Sequence, residues 1–268
     1  MAADEHAHQA PIFGHVQGNG AATVVFVHGF GGSHAGWSQV AARLGDAART
    51  IAYDLPGHGY SLGFPGAGSA KLAAQAILAD LTQRGIETVH AVGHSMGGAI
   101  AALMALLEPK RIAALTLLAP GGFGPQINAP LLRRYAAAAS ADEIRACLAA
   151  MSGKGATVPE SAVEASIALR NHPGQTEKLA EIVEMITRGD RQGAIPRELL
   201  ATLPMPVTVL WGTHDPVLPP AQAEGLPAGF RVQMVADAGH MLVEEAPRQV
   251  LQAILANLEP RAALPEAT

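Results

Sequence analysis

The chemistry of this chain starts at a serine with a glycine two residues to either side, Gly93-His94-Ser95-Met96-Gly97. That spacing suits a sharp strand-to-helix turn: the serine takes a strained backbone and projects its hydroxyl, while the glycines let strand and helix approach closely. An apolar run leads into Gly93, and an Ala/Leu-rich segment follows Gly97. A serine hydroxyl is a weak nucleophile at neutral pH and needs an oriented base. Two later segments supply one. Asp215 follows an apolar run in Trp211-Gly212-Thr213-His214-Asp215-Pro216, and His240 follows another in Asp237-Ala238-Gly239-His240. The order Ser95, Asp215, His240 fits a nucleophile, an orienting acid and a general base. Asp237 is the rival acid, and its place ahead of the turn favours Asp215.

Positioning three such residues requires a parallel sheet. Short, nearly continuous apolar runs at 23–27, 50–53, 89–92, 115–118, 207–210 and 231–235 read as strands covered on both faces. Helical segments at 34–44, 70–84, 95–107, 220–225 and 247–258 alternate with them, which is the signature of βαβ units. Each candidate residue then falls just past the C-terminal end of a strand, where such sheets place their sites. The alternation breaks over residues 123–203. This stretch carries nine basic and nine acidic residues from 123 to 200 and reads as several short helices. Ser140-Ala141-Asp142-Glu143 matches a capping box, Pro159 can open a further helix, and Leu179, Ile182, Val183 and Ile186 keep helical spacing. The expected organisation is a core domain of residues 1–122 and 204–268 with an inserted helical cap, 123–203. Gly121-Gly122 and Leu203-Pro204 are the expected hinges. Within the cap, Ile127, Leu131, Leu132, Tyr135, Leu148 and Met151 are candidate lining residues for an apolar pocket.

Five segments resemble the α/β-hydrolase family in order and spacing. They are His28-Gly29-Phe30-Gly31-Gly32, Asp54-Leu55-Pro56-Gly57-His58-Gly59, Gly93-His94-Ser95-Met96-Gly97-Gly98, Gly212-Thr213-His214-Asp215 and Gly239-His240. The resemblance implies an eight-stranded, mostly parallel sheet flanked by helices. It also implies a Ser-Asp-His triad and an oxyanion hole built from the backbone N–H groups of Phe30 and Met96. His28 and His58 then read as structural loop residues, His94 as packing beside the sheet, Asp54 as bracing its own turn, and His6 and His8 as part of a tail.

Related enzymes that form an ester on an aspartate, haloalkane dehalogenases and epoxide hydrolases, differ at the nucleophile, so Ser95 points away from them. The stretch from Leu118 to Asn128 resembles enol-lactonases and the hydrolase-like domain of acetyltransferase subunits from acetoin-cleaving dehydrogenase complexes. With the first strand expected near Ile12, no lipoyl module is expected ahead of the domain, which disfavours the transferase. Carbon–carbon hydrolases usually carry Gly-Pro in the loop that here reads Gly29-Phe30-Gly31-Gly32-Ser33. The expectation is a serine hydrolase of small carboxylic esters or lactones. Carbon–carbon hydrolysis, acyl transfer by the same triad and a catalytically silent binding protein are the alternatives.

Composition excludes other classes. The 268 residues include 18 basic and 23 acidic ones with no long basic run, which argues against nucleic acid as a partner. The most apolar run, 99–107, is about half the length of a membrane-spanning helix. A single cysteine, Cys147, allows no internal disulfide and reads as a small buried residue. The acids and histidines of residues 1–10 read as a start without a secretory leader, hence cytoplasmic. No metal or nucleotide motif occurs, so no cofactor is expected, and the expected partner is a small-molecule acyl substrate, with self-association left open.

Overall fold

A computed structural model describes residues 11–258. The expectations placed on residues 1–10, including His6 and His8, lie outside the described residues. Seven strands form one sheet: β1 (Gly14–Gln17), β2 (Ala22–Val27), β3 (Ala48–Tyr53), β4 (Val89–His94), β5 (Ile112–Leu118), β6 (Val207–Gly212) and β7 (Phe230–Val235). Their order is β1-β3-β2-β4-β5-β6-β7, and every neighbouring pair is parallel except β1 with β3. The resemblance implied eight strands; among the described residues nothing pairs with the outer edge of β1, so that short antiparallel strand ends the sheet.

The helices are α1 (Ser38–Leu44), α2 (Ala70–Gln83), α3 (Met96–Leu107), α4 (Ala129–Ala137), α5 (Ala141–Met151), α6 (Glu160–Arg170), α7 (Gln175–Ile186), α8 (Arg197–Leu200), α9 (Leu242–Glu245) and α10 (Pro247–Leu258). Among the described residues none is long and apolar enough to cross a membrane. The first helical segment begins as a 3-10 turn at His34–Trp37, whose Trp37 stacks on Phe26 of β2 with ring centroids 4.8 Å apart. The segment expected as a helix at 220–225 is a 3-10 turn, Pro220–Ala223.

Burial explains the apolar runs. In β2 the last four residues are buried, and all six residues of β6 are; strands covered on both faces cannot alternate polar and apolar side chains. Between β5 and β6 the described chain adds no strand to the sheet and holds α4 to α8 instead. The capping box forms as its residues require: Ser140 Oγ accepts from Glu143 N, while the Glu143 carboxylate accepts from Ser140 N. Cys147 is fully buried in the same helix.

β2 lies between β3 and β4 and pairs with both, so the chain leaves β2 toward one side of the sheet and returns on the other. Such a switch point opens a crevice at the carboxyl ends of the strands. The loop after β2 and the turn after β4 border that crevice.

Candidate active site

Ser95 occupies the junction of β4 and α3 with φ 53 and ψ −121, a backbone rarely held by a residue bearing a side chain. Holding it there costs on the order of 1–3 kcal/mol, which surrounding bonds must offset. Ser95 N donates to Leu118 O at 2.9 Å, and Ser95 O accepts from Gly98 N and Gly121 N, both at 2.8 Å. The motif's glycines are needed for close approach. A Cβ on Gly93 would run into the Gly97 carbonyl, and one on Gly97 would strike the carbonyls of Val27 and His28.

His240 and Asp215 meet across the ends of β7 and β6. His240 Nδ1 donates to Asp215 Oδ2 at 2.8 Å, and both side chains are buried. Asp215 Oδ1 accepts from Val217 N at 2.8 Å and Leu218 N at 2.9 Å, which fixes the carboxylate plane. With the proton on Nδ1, the imidazole presents a lone pair at Nε2. Asp237 is elsewhere: its carboxylate is 92% exposed and 3.9 Å from His214 Nδ1. The structure therefore brings Asp215, and not Asp237, to His240.

Three further contacts seat the histidine. His240 N donates to Met151 O at 2.8 Å, tying it to the last turn of α5. Glu245 Oε2 accepts from Gly153 N at 2.7 Å and Gly239 N at 3.0 Å, and its Oε1 accepts from Met241 N at 3.1 Å. His94 Nε2 donates to His240 O at 2.8 Å. Burial, reinforced by the neighbouring His240, brings the His94 pKa down to about 3, so this imidazole is a neutral brace.

The loop after β2 is held by two more neutral histidines. His28 Nδ1 donates to Gly29 O at 2.7 Å while its Nε2 accepts from Leu55 N at 3.0 Å. His58 Nε2 accepts from Gly31 N at 3.2 Å, and burial, with the nearby His28, lowers its pKa to about 3. Asp54 Oδ1 accepts from His34 N at 2.7 Å and its Oδ2 from Tyr60 N at 3.0 Å. Burial works to raise the Asp54 pKa, and the hydrogen bonds and charge of His34 and His28 outweigh it, leaving the group below its usual value. From α4, Tyr135 donates its hydroxyl to Gly31 O at 3.2 Å and lies 3.0 Å from Ser166 Oγ of α6. Among the described residues, Phe30 N and Met96 N donate to no protein acceptor.

One cavity of about 200 Å³ joins these parts, lined by Phe30, Ser95 and His240 together with Trp37, Leu132, Tyr135, Leu148, Met151, Ala162, Val243 and Glu244 among others. Four of the six expected cap residues face it. Ile127 and Leu131 do not: Ile127 lies ahead of α4, its backbone N–H bonded to Asp190 O, and Leu131 sits part-buried on α4 against the core. Among the described residues no Lys or Arg lines the cavity. Sequence reasoning missed Glu244, because no motif marks it; the available signal was a carboxylate one helical turn beyond His240 in an otherwise apolar Met-Leu-Val run. Among the described residues no group of three or more His, Cys, Asp or Glu side chains is placed to hold a metal ion.

Comparison with known proteins agrees with this architecture. The chain is 36% identical over 227 residues to the dihydrolipoyllysine-residue acetyltransferase component of an acetoin cleaving system from Cupriavidus necator, covering 84% of this chain and 60% of that protein. A Pseudomonas putida counterpart is 35% identical over 241 residues, 90% of this chain and 64% of that protein. The chain thus spans less than two thirds of these relatives. A 2-hydroxy-6-oxononadienedioate/2-hydroxy-6-oxononatrienedioate hydrolase from Cupriavidus pinatubonensis is 28% identical, over 75% of this chain and 73% of that one. Among solved structures, an esterase from Exiguobacterium antarcticum superposes with a TM-score of 0.78 at 17% identity, covering 93% of this chain and 96% of that one, a likeness of fold alone. The model of the alpha/beta hydrolase family matches residues 24–253, and the chain belongs to that family.

Proposed function

We propose that this protein is a serine hydrolase that cleaves a small carboxylic ester or lactone through an acyl-enzyme on Ser95. The observation that carries the reading is one cavity containing both a serine on a strained turn and a histidine whose Nδ1 is engaged by a buried carboxylate. In this mechanism Ser95 Oγ attacks the carbonyl carbon and His240 Nε2 takes the hydroxyl proton. Asp215 holds the tautomer and stabilises the imidazolium. The N–H groups of Phe30 and Met96 receive the developing oxyanion, each worth about 3 kcal/mol of barrier. The carbon–oxygen bond then breaks, His240 returns the proton to the leaving alkoxide, and water repeats the sequence in reverse to release the acid. Residues 123–203 act as a cap that roofs the cavity and excludes bulk water.

A second reading, acyl transfer to a thiol by the same groups, is favoured by the acetyltransferase components that the chain resembles. Hydrolysis of a dioate, as the name of the Cupriavidus pinatubonensis relative states for that enzyme, fits less well. Two carboxylates call for cationic partners, and among the described residues the cavity lining offers neither Lys nor Arg. The test is labelling by a fluorophosphonate alongside turnover of p-nitrophenyl esters, lactones and thioesters. Ser95→Ala is expected to abolish labelling and lower turnover by several orders of magnitude. Labelling or near-normal turnover by that variant would refute the proposal.

A further inference from the structure

Among the described residues Glu244 is the one acidic side chain in the cavity lining, and it stands on α9, the turn that carries the chain away from His240. Trp37, Val40, Val243 and Pro247 line the same cavity, together with the polar Ser33, Ser38 and Gln39. Its Oε2 is buried, and among the described residues it has no hydrogen-bond partner. The adjacent Glu245 offers a contrast, because both of its oxygens are occupied by backbone N–H groups. Glu245 is thus committed to holding the loop, while Glu244 keeps a free acceptor in the cavity that also holds Ser95 and His240. A buried acceptor left without a donor is unfavourable, and a ligand that brings a donor with it relieves that cost.

We infer that Glu244 forms a recognition subsite for substrates carrying a hydrogen-bond donor, a hydroxyl or a protonated amine, remote from the scissile carbonyl. The inference rests on the hydrolase reading and specifies its substrate class. Burial, with the nearby Glu245 carboxylate adding to it, pushes the Glu244 carboxyl up to about 7 despite a hydrogen bond from its own backbone. Near neutrality the group can therefore accept from a hydroxyl, or ionise to pair with an ammonium. Among the described residues no Lys or Arg of the cavity lining competes for it.

The test uses p-nitrophenyl esters of equal length ending in methyl, hydroxyl or ammonium, across a series of chain lengths, with wild type, Glu244→Gln and Glu244→Leu. At the length that reaches the carboxyl, wild type is expected to favour the hydroxylated ester over its methyl counterpart by about tenfold or more in kcat/KM. Glu244→Leu inverts that preference. Glu244→Gln, whose amide oxygen still accepts, keeps the preference for hydroxyl and loses any preference for ammonium. Two outcomes overturn the inference. If the hydroxyl-to-methyl and ammonium-to-methyl ratios are the same in wild type and Glu244→Leu at every length, Glu244 reads no donor, and the hydrolase stands. If wild type neither reacts with a fluorophosphonate nor turns over any ester, the hydrolase reading falls and takes this inference with it.

Discussion

Replacing Asp215 by asparagine changes one atom and should disable the base while sparing the fold. Asp215 Oδ1 receives two backbone donors, Val217 N at 2.8 Å and Leu218 N at 2.9 Å. An asparagine must keep its oxygen there, since the flipped amide would aim its own N–H groups at those donors. Losing both bonds would cost roughly 2–3 kcal/mol, enough to hold one orientation almost completely. The NH2 then faces His240 Nδ1, where the carboxylate Oδ2 had stood at 2.8 Å. An NH2 can only donate, so Nδ1 must become the acceptor and the proton moves to Nε2. That is the wrong tautomer for taking a proton from Ser95. The expected loss in kcat is about 10³–10⁴, or roughly 4–5 kcal/mol of barrier. Because the turn keeps both of its N–H bonds, the melting temperature should fall by only a few degrees. Ester hydrolysis and thermal unfolding measured on the same preparation decide the matter, with Asp237→Asn as the control, since that side chain is 92% exposed. Near wild-type turnover by Asp215→Asn, or a comparable loss in Asp237→Asn, would refute the assignment.

Two further outcomes are expected. His58 and His94 have folded pKa values near 3, below the 6.5 of an unfolded histidine, because burial disfavours their charged forms. Below pH 6.5 the unfolded chain therefore binds protons that the folded one refuses. Stability should be fully present above that pH and decline by about 1.4 kcal/mol per pH unit per histidine down to about pH 3. Urea unfolding at pH 7.5 and 5 should differ by on the order of 4 kcal/mol; equal stabilities would show that these imidazoles titrate normally. In the proposed cap, Met151→Ala should enlarge the cavity and shift preference toward longer or bulkier acyl groups, at about 2–5 kcal/mol of stability, whereas Leu131→Ala, off the lining, should leave the preference alone. Identical specificity ratios in both variants would remove the cap as the selectivity element.

The parts legible in the sequence were those written locally. The strained turn announces itself because strand, Ser95 and glycines lie within a few residues, and the pair Asp215 and His240 because each follows an apolar run. The capping box at Ser140 belongs to the same class. Asp215 was favoured over Asp237 by its place relative to the turn, and the geometry adds the direct contact, His240 Nδ1 to Asp215 Oδ2 at 2.8 Å, while Asp237 points to solvent. The apolar runs mark six strands and miss β1, four residues with a mostly exposed pattern, while the count of eight came from the family resemblance alone. The partition of cap residues into lining and interior depends on how α4 is rotated, which its apolar stripe constrains only coarsely. Glu244 was invisible for a different reason: its character comes from burial in a cavity whose walls are contributed by segments far apart in the chain.

The bond from His240 N to Met151 O bears on how this protein could be re-engineered. It joins the last turn of α5 to the backbone of the histidine, and Gly153, just beyond that helix, bonds Glu245 on the same loop. The inserted helices are therefore not an interchangeable cassette. Swapping residues 123–203 for the equivalent stretch of a relative would transplant part of the histidine's own mounting along with the pocket wall. A chimera that failed to reproduce a carbonyl at Met151 and a compact turn at Gly153, where a Cβ would collide with the backbone of Asp237, would inherit a new pocket and lose the alignment of its base. Grafts that keep residues 151–153 and exchange only the helices before and after them are the ones the architecture can accept.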